Sequence, residues 1–116
     1  MNKIYYLSSC STCSRIIKDL GITPKDFIMQ DIKTEKITPA QIEEMKKLTG
    51  SYESLFSRVA LKYRHLGLDK ESLDEAAYKK YILEEYTFLK RPVILIGKQL
   101  FVGNSKNTIA AAKAAL

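Results

Sequence analysis

A strand-like run, Lys3-Ile4-Tyr5-Tyr6-Leu7, is followed almost at once by Cys10-Ser11-Thr12-Cys13. From Ser14 to Leu20 the apolar residues Ile16, Ile17 and Leu20 recur at helical spacing, and Gly21 closes the stretch. Few architectures accept this opening. The strand formers predict a first strand, the 3.6-residue period predicts a helix, and a glycine at its end is a natural stop. Phe27-Ile28-Met29 then reads as a second short strand. With connections this short, the two strands are expected to lie parallel and adjacent in a βαβ unit.

The middle of the chain reads as helical. Thr38-Pro39-Ala40-Gln41 combines an N-cap, a proline at the first helical position and the glutamine of a capping box. Ile42, Met45 and Leu48 are expected on the buried face of that helix, which Gly50 ends. A short helix is predicted over 51–56, a second over 57–66, and a third capped by Asp69 or Ser72 and running to Tyr86. Leu73, Ala76, Ala77, Tyr81 and Leu83 are its apolar positions.

The period changes again at the end. Pro92-Val93-Ile94-Leu95-Ile96 is a continuous apolar run, as expected of a strand buried on both faces. Gly97-Lys98 supplies a two-residue turn into Gln99-Leu100-Phe101-Val102, and Ser105 caps a last Ala-rich helix over 107–115. The expected fold class is therefore α/β, with a four-stranded mixed sheet in the order βαβ…ββα. One domain is expected over 1–116, with a core of about 1–35 and 88–116 and a helical insert over about 38–87.

The chemistry sits in the cysteine loop. A cysteine at a helix N-terminus faces unpaired backbone N–H groups and the positive end of the helix dipole. Both favour thiolate over thiol, which makes Cys10 the expected nucleophile near neutral pH. Cys13 follows one helical turn later on the same face, where it can attack an oxidised Cys10 or a mixed disulfide and release the product. The alternative is that both cysteines simply pack in the interior, as cysteine often does. Ser8, Ser9, Ser11, Thr12 and Ser14 surround the pair with hydroxyls, which argues against it. Arg91 precedes Pro92 at the start of the third strand, where a proline breaks no ladder. In this layout Pro92 is expected to face the cysteine loop through a cis peptide. Arg91 would then stabilise the Cys10 thiolate or hold an anion.

Charge and composition exclude other classes. The net charge is +6, but the lysines sit beside acids, as in Lys33-Thr34-Glu35-Lys36 and Glu43-Glu44-Met45-Lys46-Lys47. That pattern suits solvated helix faces, and no nucleic-acid motif accompanies it. Two cysteines cannot build a disulfide framework or a four-cysteine zinc site, and His65 is the single histidine, so no metal is expected. No apolar stretch is long enough to span a membrane and the N-terminus has no signal-peptide layout, so a cytoplasmic location is expected.

With the cysteine loop, the helical insert, Arg91-Pro92-Val93 and the closing Val102-Gly103-Asn104 in hand, the chain resembles the arsenate reductase family. That family also contains the Spx-type regulators of RNA polymerase. The resemblance covers nearly the whole chain and implies a thioredoxin-like fold with an inserted helical subdomain, Cys10 as nucleophile and Pro92 as the cis proline. Arsenate reductases of this kind use one catalytic cysteine, with arginines on the oxyanion. They bind no cofactor and take glutathione or another thiol as co-substrate, with glutaredoxin or thioredoxin as reductant. Arg91 matches one of those arginines, Arg15 stands displaced from another, and Glu53 and Val102 occupy the places of two more. The implied site is catalytic Cys10, Cys13 and Arg91, with Ser11, Thr12, Arg15 and Pro92 around the substrate. The Spx-type branch implies instead a Cys10–Cys13 disulfide switch that governs binding to RNA polymerase. Its last hairpin resembles Leu100-Phe101-Val102-Gly103-Asn104.

Overall fold

The computed structural model describes residues 2–116. Its elements are β1 (Asn2–Tyr6), α1 (Ser11–Leu20), β2 (Phe27–Asp31), α2 (Pro39–Thr49), α3 (Leu61–His65), α4 (Glu75–Glu84), β3 (Val93–Ile96), β4 (Gln99–Val102) and α5 (Lys106–Ala114). Three 3-10 turns lie among them, at Glu53–Leu55, Leu68–Lys70 and Tyr86–Phe88. The chain forms two compact units, one of Met1–Lys36 with Arg91–Leu116 and one of Ile37–Lys90.

The first unit holds a four-stranded sheet in the order β2-β1-β3-β4. β1 and β2 run parallel, as the short βαβ connection requires, while β1–β3 and β3–β4 are antiparallel. Ile4 pairs with Met29 on one side and Ile94 on the other. α1 buries Cys13, Ile16 and Leu20, a three-then-four spacing that keeps one stripe against the sheet. Ile16 and Leu20 join Ile4, Ile22, Phe27, Ile94, Ile96 and Ala112 of α5 in one apolar core. Gly21 ends α1 in the left-handed region (φ 66°), where its N–H reaches the carbonyls of Ile17 and Lys18.

The sequence-based boundaries shift here for identifiable reasons. α1 begins at Ser11, ahead of the periodic stretch 14–20 and with Cys10 at its N-terminus as expected, because Cys10 adopts the extended N-cap conformation and its carbonyl accepts the Ser14 N–H at 3.1 Å. The first helical turn therefore contains Cys13. β2 runs on to Asp31, since Gln30 is buried and its side-chain amide donates to the Glu35 carbonyl at 3.0 Å.

In the second unit Thr38 caps α2 through the expected capping box, with the Gln41 side chain accepting the Thr38 N–H in return. Ile42 and Met45 are buried, but Leu48 is exposed. At 100° per residue Leu48 falls about 120° from Ile42, whereas half-buried Thr49 returns to the stripe. The helix predicted over 51–56 is only the 3-10 turn Glu53–Leu55, capped by the Glu75 carboxylate on the N–H groups of Tyr52 and Glu53 at 2.7 and 3.0 Å. The helix predicted over 57–66 shrinks to α3. Phe56 bridges Leu89 and the Ser57 N–H donates to the Phe88 carbonyl, so the segment starts extended. α4 is capped by Asp74, not Asp69 or Ser72, and ends at Glu84. Its buried residues are Tyr78 and Ile82, while Leu73, Ala77, Tyr81 and Leu83 are only half-buried and Ala76 is exposed. The unit's centre is aromatic: Phe56 contacts Phe88 and Tyr78 at 5.0 Å between ring centroids and Tyr63 at 5.9 Å. Among the described residues no helix is long and apolar enough to cross a membrane.

Candidate redox site

The site is assembled at one end of the sheet of the first unit. β1 ends at Tyr6, and a tight turn follows in which the Cys10 N–H donates to the Leu7 carbonyl at 3.0 Å. The turn delivers Cys10, a half-exposed residue, to the N-cap of α1. Cys13, on the first helical turn, is fully buried. From the other side of β1 comes β3. Val93 pairs with Tyr5, so the residues just before it lie beside the end of β1 and the start of the cysteine loop. Those residues are Arg91 and buried Pro92, joined by a cis peptide. Antiparallel register thus carries Arg91, from the far end of the sequence, to the cysteines.

The two thiols have opposite electrostatics. Partial burial pushes the Cys10 thiol up, but the Cys13 N–H, the Cys13 thiol, the Thr12 N–H and the Arg91 charge together outweigh it, and the net direction is down. Cys13 is pushed up to about 11, first by burial; a hydrogen bond with the Leu7 backbone opposes this, the neighbouring Cys10 sulfur pushes it further up, and Arg91 acts weakly downward. One sulfur is therefore readied as a thiolate and the other is kept as a thiol that donates to it.

Of the residues expected around this pair, Thr12 contributes its backbone and is half-buried, and Ser11 is exposed on the first turn. Arg15 is exposed, and the helical step sets it about 200° round α1 from Cys13. Val102 is half-buried in β4. Glu53 lies in the second unit, where its carboxylate holds Arg58 at 2.7 Å, and the same guanidinium donates to the Tyr78 hydroxyl at 2.8 Å. Asp31 is a further residue of the site, outside the expected set. Its carboxylate accepts the N–H of Ser8 at 3.4 Å and of Lys33 at 3.2 Å, which ties the C-terminal end of β2 to the turn before Cys10. Slight burial pushes the Asp31 carboxyl up, and the Ser8 hydroxyl, the two N–H groups and the Lys33 charge hold it lower on balance. An aspartate closing a strand before Lys33-Thr34 is a turn signal, and it was visible in the sequence.

Comparison with known proteins bears on the family and the fold. The model of the ArsC family matches residues 5–112. The global transcriptional regulator Spx 2 of Lactococcus lactis subsp. lactis is 26% identical over 112 residues, covering 96% of this chain and 85% of the relative. Among solved structures, the YffB protein superposes with a TM-score of 0.78 at 22% identity, covering 97% of this chain and 98% of its own. The arsenate reductase from Vibrio cholerae gives 0.74 at 16% identity, with coverage of 99% and 97%. At these identities the structural likeness speaks for the fold, a thioredoxin-like one with a four-stranded mixed sheet.

Proposed function

The chain belongs to the ArsC family, and from that premise we propose that it is a thiol-dependent oxidoreductase with Cys10 as its nucleophile. The observation that carries the reading is the opposed pair: a half-exposed Cys10 held towards thiolate beside a buried Cys13 pushed up to about 11. With a disulfide substrate, the Cys10 thiolate attacks one sulfur, the S–S bond breaks, and the departing thiolate takes a proton from water. In the mixed disulfide so formed, the Cys13 thiol gives up its proton and attacks the Cys10 sulfur, which expels the second substrate thiolate and leaves a Cys10–Cys13 disulfide; two glutathione thiols then reduce that bond, become glutathione disulfide and restore both cysteines. With arsenate, two thiols supply two electrons, arsenic falls from the +5 to the +3 state, and one oxygen leaves as water. Arg91 steadies the negative charge in either case, with Ser11, Thr12 and Pro92 around the substrate; Arg15, turned away on α1, is left out of this reading. Glutathione is the thiol co-substrate, with glutaredoxin or thioredoxin as the protein reductant.

The test is turnover with arsenate and with a small disulfide, using glutathione with glutaredoxin, or thioredoxin, for wild type and Cys10→Ser. Turnover that disappears in Cys10→Ser supports the mechanism. Full turnover without the Cys10 sulfur removes it.

The Spx relatives favour a second reading. Here Cys10 and Cys13 form a reversible disulfide that switches binding to RNA polymerase, and no catalytic cycle is needed. Redox-dependent retention of RNA polymerase by the immobilised chain supports this reading, and its loss in Cys13→Ser assigns the switch. Absence of retention in both redox states removes it.

A further inference from the structure

The turn that delivers Cys10 is held from two sides. On one side Leu7 is buried, and its carbonyl takes the Cys10 N–H at 3.0 Å. Ser8 and Ser9, between them, are exposed. Exposed turn residues bury little that would fix their course, and such segments open at low cost. The second hold comes from β2. Asp31 Oδ1 accepts the Ser8 N–H at 3.4 Å, and the Ser8 hydroxyl donates to the same carboxylate.

Asp31 is itself fixed. It pairs with Tyr6 in the parallel β1–β2 ladder, and the Ile32 N–H continues that ladder on the Tyr6 carbonyl at 2.9 Å. Its own carbonyl accepts the N–H of Glu35 at 2.8 Å and of Thr34 at 3.2 Å. Its Oδ1 also takes the Lys33 N–H at 3.2 Å, closing an Asx turn. The reach of the carboxylate to Ser8 is therefore set by sheet register.

We propose that Asp31 is a positioning residue for Cys10: it holds the turn at Ser8 so that the Cys10 sulfur stays against the N–H groups that open α1. It acts through Ser8, two residues ahead of the sulfur. The inference rests on the reading of Cys10 as nucleophile, and it predicts a sign. The thiolate is favoured while the Thr12 and Cys13 N–H groups face it. A loosened turn weakens those contacts and moves Cys10 back towards an ordinary thiol. Asp31 acting as a bare negative charge would do the reverse, because a carboxylate near a thiolate opposes it and its removal favours ionisation. Position and charge thus predict opposite shifts.

The experiment measures iodoacetamide alkylation of Cys10 against pH in the full chain, for wild type, Asp31→Ala, Asp31→Asn and Thr38→Ala. Asp31→Ala removes acceptor and charge together, whereas Asp31→Asn loses the charge and keeps a side-chain oxygen for the Ser8 N–H. Thr38→Ala weakens the cap of α2 in the second unit and controls for a general loss of stability. Asp31→Ala is expected to raise the Cys10 midpoint by about half a pH unit and to slow alkylation below the midpoint about threefold, the effect of one weak hydrogen bond. Asp31→Asn is expected to recover most of the wild-type rate, and Thr38→Ala to match wild type. Buried Cys13, followed in the same samples, should stay protected in all four.

An Asp31→Ala midpoint equal to or below that of wild type overturns the proposal. So does a midpoint in Asp31→Asn as high as in Asp31→Ala, an equal rise in Thr38→Ala, or exposure of Cys13 in Asp31→Ala and Asp31→Asn, which marks a lost fold and not a misplaced thiol. A wild-type midpoint at the ordinary value of about 8.5 removes the reading of Cys10 itself, and this inference with it. The wild-type curve tells that failure from the others.

Discussion

The Cys13 thiol donates to the Cys10 sulfur within one turn of α1, and the two sulfurs are driven in opposite directions as a result. Burial is the larger influence on Cys13, and the surrounding N–H groups, the Cys13 thiol and Arg91 prevail on Cys10. A deep sulfur kept protonated thus helps to keep its exposed neighbour ionised.

Removing the donor should show this. Cys13→Ala deletes one of the groups that hold the Cys10 thiol below its ordinary value, so alkylation of Cys10 by iodoacetamide at neutral pH should slow by about threefold to tenfold. Cys13→Ser retains an O–H donor and should recover part of the rate. Stopped-time mass spectrometry measures both.

Arg91 acts by charge. In Arg91→Gln the pH at which Cys10 becomes half-reactive should rise, and in Arg91→Lys it should stay close to wild type. The wild-type advantage over Arg91→Gln should shrink as salt is added, because the interaction is coulombic and Cys10 is partly exposed.

Stability should depend on pH through Cys13. Its folded value of about 11 lies above the roughly 8.5 of an unfolded cysteine. Its contribution is therefore complete below the unfolded value and is lost as pH rises through the folded one, because the unfolded chain gives up the proton first. Urea unfolding should show stability falling from about pH 8.5 towards pH 11, with a shallower fall in Cys13→Ala. Cys10, shifted down, contributes with the opposite sign: its stability is present above the unfolded value and is lost as pH falls through the folded one.

The second unit offers two stability tests of unequal size. Phe56→Ala empties the centre of the aromatic cluster and should cost about 3–5 kcal/mol. Thr38→Ala removes the capping box of α2 and should cost about 1 kcal/mol. Denaturant midpoints at fixed slope separate the two.

Much of this fold was legible where local chemistry and period agreed. Thr38 to Gln41 marked the start of α2 because a cap is a local device, and Gly21 and Gly50 marked two ends for the same reason. The sheet was legible because Ile4, Ile94 and their neighbours carry the strand signal along the chain. The region from Ser51 to Glu75 was not, since its turns are closed by distant groups: the Glu75 carboxylate caps Tyr52 and Glu53, and Phe56 bridges Leu89. No window of sequence contains both partners. At the site, Cys10 and Cys13 announced themselves by spacing. Arg91 followed from the expected strand order that sets Pro92 against the cysteine loop, and Asp31 showed only as a turn signal before Lys33-Thr34, because its distant partner, the Ser8 N–H, belongs to the backbone and leaves no mark in the side-chain pattern.

The most direct measurement is the pH dependence of iodoacetamide alkylation of the wild-type chain, with the modified cysteine assigned by peptide mapping. The account predicts that Cys10 reacts first, with a midpoint below the roughly 8.5 of an ordinary thiol, while Cys13 stays protected until the fold opens. Modification of Cys13 ahead of Cys10, or a Cys10 midpoint at or above the ordinary value, would contradict it.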